Sequence, residues 1–413
     1  MLKHILLLLV CLTSFLLKAQ EGTTSPYSFF GIGTLKFKGT VENRSMGGIG
    51  VYSDSIHLNI QNPAGVAGLR LVNYSISGSH KFNKLSTTDE SQNATTTTLD
   101  YLAIGIPMGK LGASFGLIPY TSSGYKLENI SGTTTTQYTG SGGMNKAFLT
   151  FAYQITPKLN IGLETNYNFG NIENIALSYQ EGIQLGTEEI NRSDLLGFSF
   201  NLGAQYMTPI SDKLDWRASV SYTPETNFTS ENTRTISTVL QLPSGAYTQI
   251  DTRDIPVSNT DFTFPSQWTF GTGIGENKKW FLGGEFTSQK TSNFTNRTFE
   301  LENVSFEDAS KFRFGGYYIP DYNSFGSYLK RVVYRAGLRF EETGININGE
   351  SINEFGISFG LGLPVGRTFS NLNIGLEYGN RGTTNNGLVK ETFFNVFVGL
   401  SLNDKWFEKR LYD

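Results

Sequence analysis

The sequence predicts an all-β fold: a transmembrane antiparallel β-barrel of about fourteen strands, closed by an N-terminal plug. Three observations predict it. From about residue 71 onward the chain repeats segments of roughly ten residues in which every second residue is apolar, the period of a strand. The connections between these segments alternate short and long, as the two ends of a membrane barrel do. No apolar run of helical spanning length follows the first nineteen residues, so any membrane crossing falls to strands.

The chain opens with a basic Met1-Leu2-Lys3-His4, an apolar run over 5–17, and Lys18-Ala19-Gln20. Residues 1–19 therefore read as a secretory signal peptide, cleaved after Ala19 or Gln20, and too short for a comfortable anchor. Cys11 is the only cysteine and lies inside that leader, preceded by Val10 where lipidation wants a small residue. The mature chain then has no disulfide, no thiolate nucleophile and no Cys-bound metal. The net charge is −3 for 413 residues, about −5 once Lys3 and Lys18 are removed. No basic stripe stands out, so no nucleic-acid partner is expected.

Residues 20–70 break the strand rhythm. Gly31, Gly33, Gly47, Gly48 and Gly50, with Asn62-Pro63, describe a compact, turning segment. A lumen of about fourteen strands is wider than side chains alone can fill, and this segment is the right size to plug it.

Residues 71–404 are the expected barrel. Strands begin near 71, 97, 110, 146, 158, 195, 213, 265, 278, 310, 331, 352, 370 and 392. Asn371-Leu372-Asn373-Ile374-Gly375-Leu376-Glu377-Tyr378 alternates cleanly, and Phe198, Phe200, Leu202, Ala204 and Tyr206 share one face. Short connections fall at 107–110, 156–158, 209–213, 276–279, 320–330 and 364–370. Long ones fall at 83–96, 121–145, 172–194, 225–263, 288–308, 341–351 and 380–391 and read as polar outer loops. An even strand count places both termini in the periplasm, with 405–413 as a charged periplasmic tail. Trp216, Trp280 and Trp406 then sit at the periplasmic boundary, where amphipathic rings are stable.

Chemistry is sparse. The mature chain holds two histidines, His57 and His80, without a nucleophile motif, so no enzymatic activity is expected. Asp89, Glu90, Asp251 and Asp254 lack the spacing of a calcium loop. Neither metal nor cofactor is expected. Alternation sends Glu164, Asp215, Arg217, Glu285, Arg313, Arg335, Arg339 and Glu377 into the lumen. They either line a solute path or anchor the plug through ion pairs; the cost of unpaired lumen charge favours anchoring.

Two phrases carry a family resemblance. Ser45-Met46-Gly47-Gly48-Ile49-Gly50 is followed by Asp54 and then Asn62-Pro63-Ala64-Gly65. This resembles the N-terminal signature of the FadL/TodX family of outer-membrane proteins. The resemblance implies a plugged fourteen-stranded barrel for passive uptake of hydrophobic compounds such as long-chain fatty acids. Gly47, Gly48, Gly50, Asp54, Asn62, Pro63, Ala64 and Gly65 would form the gating hatch. It also implies sideways exit into the bilayer, through a gap where an early strand kinks. Pro119 either supplies that kink or simply ends its strand. The expected partners are outer-membrane lipid and a hydrophobic small-molecule ligand. Departures are the Thr- and Asn-rich loops at 94–98 and 132–137 and the charged tail. The opening at 25–31 is similar to PorV-like relatives, which serve as protein partners. A non-transporting role in an outer-membrane secretion or assembly complex is therefore the alternative.

Overall fold

Period-two sequence fixes which face each residue takes, and fourteen antiparallel strands use it to separate lipid from lumen. A computed structural model describes residues 22–242, 246–294, 303–365 and 369–405. The expected leader, Trp406 and all but Lys405 of the expected tail lie outside the described residues. The wall strands are β1 (Val72–Ser86), β2 (Ser91–Met108), β3 (Leu111–Pro119), β4 (Thr134–Thr156), β5 (Leu159–Gln180), β6 (Leu185–Pro209) and β7 (Asp215–Thr223). They continue as β8 (Gln267–Glu276), β9 (Trp280–Gln289), β10 (Ala309–Tyr318), β11 (Val333–Ile347), β12 (Glu350–Val365), β13 (Ser370–Arg381) and β14 (Lys390–Asp404). Each pairs with its neighbours in sequence, and β14 returns to β1 with Val72 opposite Asp404, which closes the barrel.

The outer face carries an apolar belt. Phe198 on β6 is 60% exposed and Tyr378 on β13 is 57% exposed. Large apolar side chains this open to water would be costly over so wide a band, and in a bilayer they cost nothing. Trp216 and Trp280 face the belt at the starts of β7 and β9, and Trp268 stacks on Tyr222 at the other end with ring centroids 4.2 Å apart. The inner face is polar: Asn166, Asn168, Ser199 and Asn201 are buried there.

The long connections differ from expectation. Most of 83–96, 121–145 and 172–194, and much of 225–263, continue the wall as β-ribbon. Residues 125–131 pair with 134–140, and 226–241 pair with β6 and then with 247–255. Polar composition made these stretches read as loops. Their threonines are β-branched, and extending an existing ladder satisfies every backbone group that an irregular loop would leave to water. The result is an outer sheet standing on the β4–β6 side, with strands 125–131 and 247–255 at its free edges. The connection 320–330 leads into a helical turn, Tyr328–Arg331.

Buried apolar side chains lie between plug and wall. Val41, Leu58, Ile60, Val66 and Leu69 of the plug pack on Tyr101, Phe148 and Phe397 of the wall. The plug itself is made of short turns. In Val41–Arg44, Thr40 and Asn43 form a reciprocal cap. In Pro63–Gly68, the Asn62 side chain accepts the Ala64 N–H at 3.0 Å, and proline takes the first helical position.

Candidate transport site: plug seat, lumen and an unpaired wall edge

The plug sits on paired glycines. Gly315 faces Gly337 across β10 and β11, Gly162 faces Gly203 across β5 and β6, and Gly360 faces Gly375 across β12 and β13. A methyl group at Gly315 or Gly337 would collide with the Met46 and Gly47 backbone. At Gly162 it would meet the backbone of Pro63 and Ala64, at Gly203 the Asn62 side chain and Pro63 ring, and at Gly360 the side chain of Ser45. Absent side chains let plug and wall approach to contact distance.

Hydrogen bonds then fix the segment. Gly47 N–H donates to Ser358 Oγ (3.0 Å), and Gly50 N–H to Glu285 Oε2 (2.7 Å). Gly48 has φ +88°, a conformation that favours glycine, and its carbonyl accepts from Gln61 Nε2 (2.8 Å). The Asn62 amide donates to the Val220 and Ala204 carbonyls of the wall (3.1 and 3.3 Å). Pro63, Ala64 and Gly65 are buried in the same turn, Gly65 against Asn59 and Ser53.

Ion pairs tie plug to lumen. Arg44 Nη2 meets Glu377 Oε2 at 3.0 Å, and Arg339 Nε meets the other oxygen at 2.7 Å. Arg339 and Arg381 share Glu354. Arg313 bridges Glu285 (3.3 Å) and Glu341 (3.4 Å) and lies 3.4 Å from the Gly48 carbonyl. Lys38 of the plug holds Glu164 at 2.6 Å. Arg217 donates to the Ser53 carbonyl, and Arg335 donates to Asn373 Oδ1 at 3.0 Å. Asp215, at the start of β7, is in no ion pair among the described residues. Among those residues, no group of three or more His, Cys, Asp or Glu could hold a metal ion.

On the lower side of the plug, His57 acts as a latch to the wall. Its Nδ1 donates to Asp54 Oδ2 at 2.7 Å, and Nε2 lies 3.1 Å from the side-chain amide of Asn371 on β13. Burial opposes both charges. His57 together with the N–H groups of Ile56 and His57 outweighs it at Asp54 and holds that carboxyl at about 2. Burial pulls His57 down, but Asp54 and Glu42 more than offset it, so its pKa is raised. The raised His57 contributes stability that is complete below about 6.5 and is lost as pH climbs through the raised value. The lowered Asp54 contributes above about 4 and is lost as pH falls toward 2. The latch is therefore tightest between these limits. Amide exchange at residues 54–60, corrected for intrinsic rate, should be slower at pH 5.5 than at pH 8.5. His57→Gln should flatten the difference; equal protection in the wild type at both pH values would contradict the latch.

The plug divides the lumen. An upper cavity of about 340 Å³ and a lower one of about 760 Å³ share only Thr40 among their lining residues. The upper cavity reaches one anomaly in the wall. β2 and β3 pair from Met108–Leu111 only as far as Leu102–Leu117. Beyond that rung no strand among the described residues pairs with 91–101 on the β3 side, while β1 still covers their other edge. Pro119 ends β3; it cannot donate to a ladder. The chain then turns inward, and Thr121–Ser122 pairs with Thr34–Leu35 of the plug. The Tyr120 carbonyl accepts the Lys36 N–H at 2.9 Å. Leu99 on one bank and Pro119 and Tyr120 on the other all line the upper cavity.

Several of these residues are absent from those the sequence singled out: the glycine pairs, Lys38, Glu354 and Arg381. Inward parity could have named Glu354, Arg381 and the glycines, whereas Lys38 lies in the plug, outside any strand, where parity does not apply. Nothing local marks which inward glycines meet the plug.

A closed fourteen-strand wall, a seated N-terminal plug and an early strand that breaks its pairing define an outer-membrane barrel of the FadL type. The chain matches the BamG family model over residues 1–413 and belongs to that family. Among solved structures it is similar to the Ralstonia pickettii toluene transporter TbuX (14% identity, 89% of this chain and 99% of that one, TM-score 0.60). It is also similar to the Pseudomonas putida toluene transporter TodX (13% identity, 91% and 100%, TM-score 0.57). A Pseudomonas aeruginosa FadL homologue aligns at 10% identity over 90% and 98%, with TM-score 0.56. No curated protein matches the sequence.

Proposed function

We propose that this protein is a passive outer-membrane channel for hydrophobic compounds, long-chain acyl compounds included, which leave the lumen sideways into the bilayer. The observation that carries the reading is the unpaired edge of β2, which borders the upper cavity while the seated plug closes the route below it. A ligand taken up at the outer opening needs no nucleotide or metal to move down its own gradient. Similar folds serve proteins described as toluene transporters. The hatch residues Gly47, Gly48, Gly50, Asp54, Asn62, Pro63, Ala64 and Gly65 set how firmly the lower route stays shut. Both termini lie on the periplasmic side in this reading, because the short connections share their end of the barrel.

Uptake of radiolabelled toluene or oleate by cells carrying this chain as their sole such channel tests the route. Leu99 is 48% exposed at the rim, and Leu99→Trp narrows the gap without touching the plug. Uptake should fall several-fold while outer-membrane abundance stays constant. Undiminished uptake would exclude sideways exit.

A second reading has its own support. The outer sheet ends in two strands, 125–131 and 247–255, each with one partner strand among the described residues. Such edges accept a strand from another protein, which fits a member of an outer-membrane complex. Purification from native membrane separates the readings: a stoichiometric protein partner supports the second, and co-purifying acyl ligand the first.

A further inference from the structure

The upper cavity is more cationic than neutral hydrocarbons require. Nine cationic and six anionic side chains line it, in a chain whose net charge is −3. Most of the cations are matched. Arg44, Arg313, Arg339 and Arg381 hold carboxylates, Lys311 lies 3.2 Å from Glu341, and Lys81 lies 3.7 Å from Glu391. Lys36 donates to the Gly22 carbonyl, and Lys146 is left without a polar partner among the described residues. It projects inward from β4, opposite Ile118 at the end of β3, and is 8% exposed. Its ammonium is in no hydrogen bond or ion pair among the described residues and rests 4.0 Å from the Tyr120 ring centroid. The neighbouring Lys38 is engaged by Glu164. The corner thus holds two ammoniums against one carboxylate. The Lys146 ammonium faces the upper cavity with a second ammonium, Lys38, in the same lining, and like charges held together favour a counter-charge from outside the chain.

We propose that Lys146, with Lys38 beside it, binds the phosphodiester headgroup of a membrane lipid that enters through the unpaired edge of β2. The proposal rests on the channel reading and names a ligand class for the same cavity. Three features favour a phosphodiester. One excess positive charge calls for a monoanion. Burial pushes a carboxylate toward its neutral acid, whereas a phosphodiester stays ionised, and a lysine ammonium is a good point-charge partner for it. Depth agrees as well. The pairing stops above the Leu102–Leu117 rung, where the lipid-facing residues of β2 give way, beyond Leu99, to Thr97 and Thr95. That is where the apolar belt ends and headgroups lie. Tyr120 and Phe264, 5.3 Å apart between ring centroids, offer an apolar surface to the first methylenes.

The test is native mass spectrometry of the full mature chain in a nonionic maltoside. The probes are dioctanoyl phosphatidylglycerol, dioctanoylglycerol and octanoate, with dimethyl phosphate as competitor. Wild type should retain the phosphodiester lipid about tenfold better than dioctanoylglycerol, the effect of one charge-assisted contact. Lys146→Met should abolish that preference and Lys146→Arg should keep it. A merely structural lysine would instead shift the melting temperature and leave lipid preference alone. Competition by dimethyl phosphate at equal concentration assigns the site to a free phosphate ester; its failure to compete assigns it to the lipid. Equal retention of octanoate, or a preference that survives Lys146→Met, overturns the proposal. Wild-type uptake of toluene without any phosphodiester preference would overturn it while sparing the channel; loss of both would remove the channel reading too.

Discussion

Replacing Gly337 with valine is expected to unseat the plug and leave the barrel standing. A Cβ there runs into the backbone of Met46 and Gly47, which has no flexible end to swing aside. Ordinary overpacking costs about 1–3 kcal/mol because side chains give way; here main chain must move, and the cost exceeds that range. The Gly47 N–H to Ser358 bond goes with it, worth about 1 kcal/mol. The wall ladder between β10 and β11 does not depend on the plug, so the folded barrel should keep its heat-modifiable migration on a gel. The signature is faster tryptic cleavage at Lys38 and Arg44, together with ion-conducting openings in a planar bilayer. Gly326→Val is the control, since nothing lies within 4 Å of its Cβ position. A Gly337→Val protein as protease-resistant and as closed as wild type would mean that the glycine pairs are incidental.

The second large effect is expected from Arg339→Met. Arg339 touches three carboxylates, Glu341 at 3.2 Å, Glu377 at 2.7 Å, and Glu354. Each keeps another cation: Lys311 and Arg313 for Glu341, Arg44 for Glu377, Arg381 for Glu354. Four cations then face four carboxylates, Glu285 included, but two charge-assisted hydrogen bonds, to Glu377 and Glu354, are lost from a buried cluster, a loss of about 3–5 kcal/mol. The urea midpoint of refolded protein in micelles should drop accordingly, and Arg339→Lys, which keeps the charge but cannot hydrogen-bond Glu377 and Glu354 at once, should recover only part of the loss. If Arg339→Met instead changes solute permeation with an unchanged midpoint, these charges line a path and do not anchor the plug.

The wall was legible because its signal is local. Alternation through Phe198, Phe200 and Leu202 or through Leu376 and Tyr378 needs no partner strand to be read, and the fourteen wall strands follow from counting such stretches. The outer ribbons were not legible. Residues such as Thr134, Thr135 and Thr136 are polar like a loop and β-branched like a strand, and only the neighbouring ladder decides between them. At the site, parity places Glu377 and Arg339 inside, but their pairing joins residues on different strands and depends on register. Gly315 and Gly337 meet for the same reason, and their value appears only when the plug backbone lies on them. At Pro119 the sequence left open a kinked strand or a finished one. In the structure β3 finishes there, and the chain turns toward the plug.

The most direct measurement is a high-resolution electron cryomicroscopy map of the protein extracted from its native membrane with its lipids. Acyl density passing through the wall between Leu99 and Tyr120, with its head near Lys146, is the predicted result. A polypeptide strand hydrogen-bonded along residues 91–101, sealing that edge and excluding lipid from the lumen, would contradict the account.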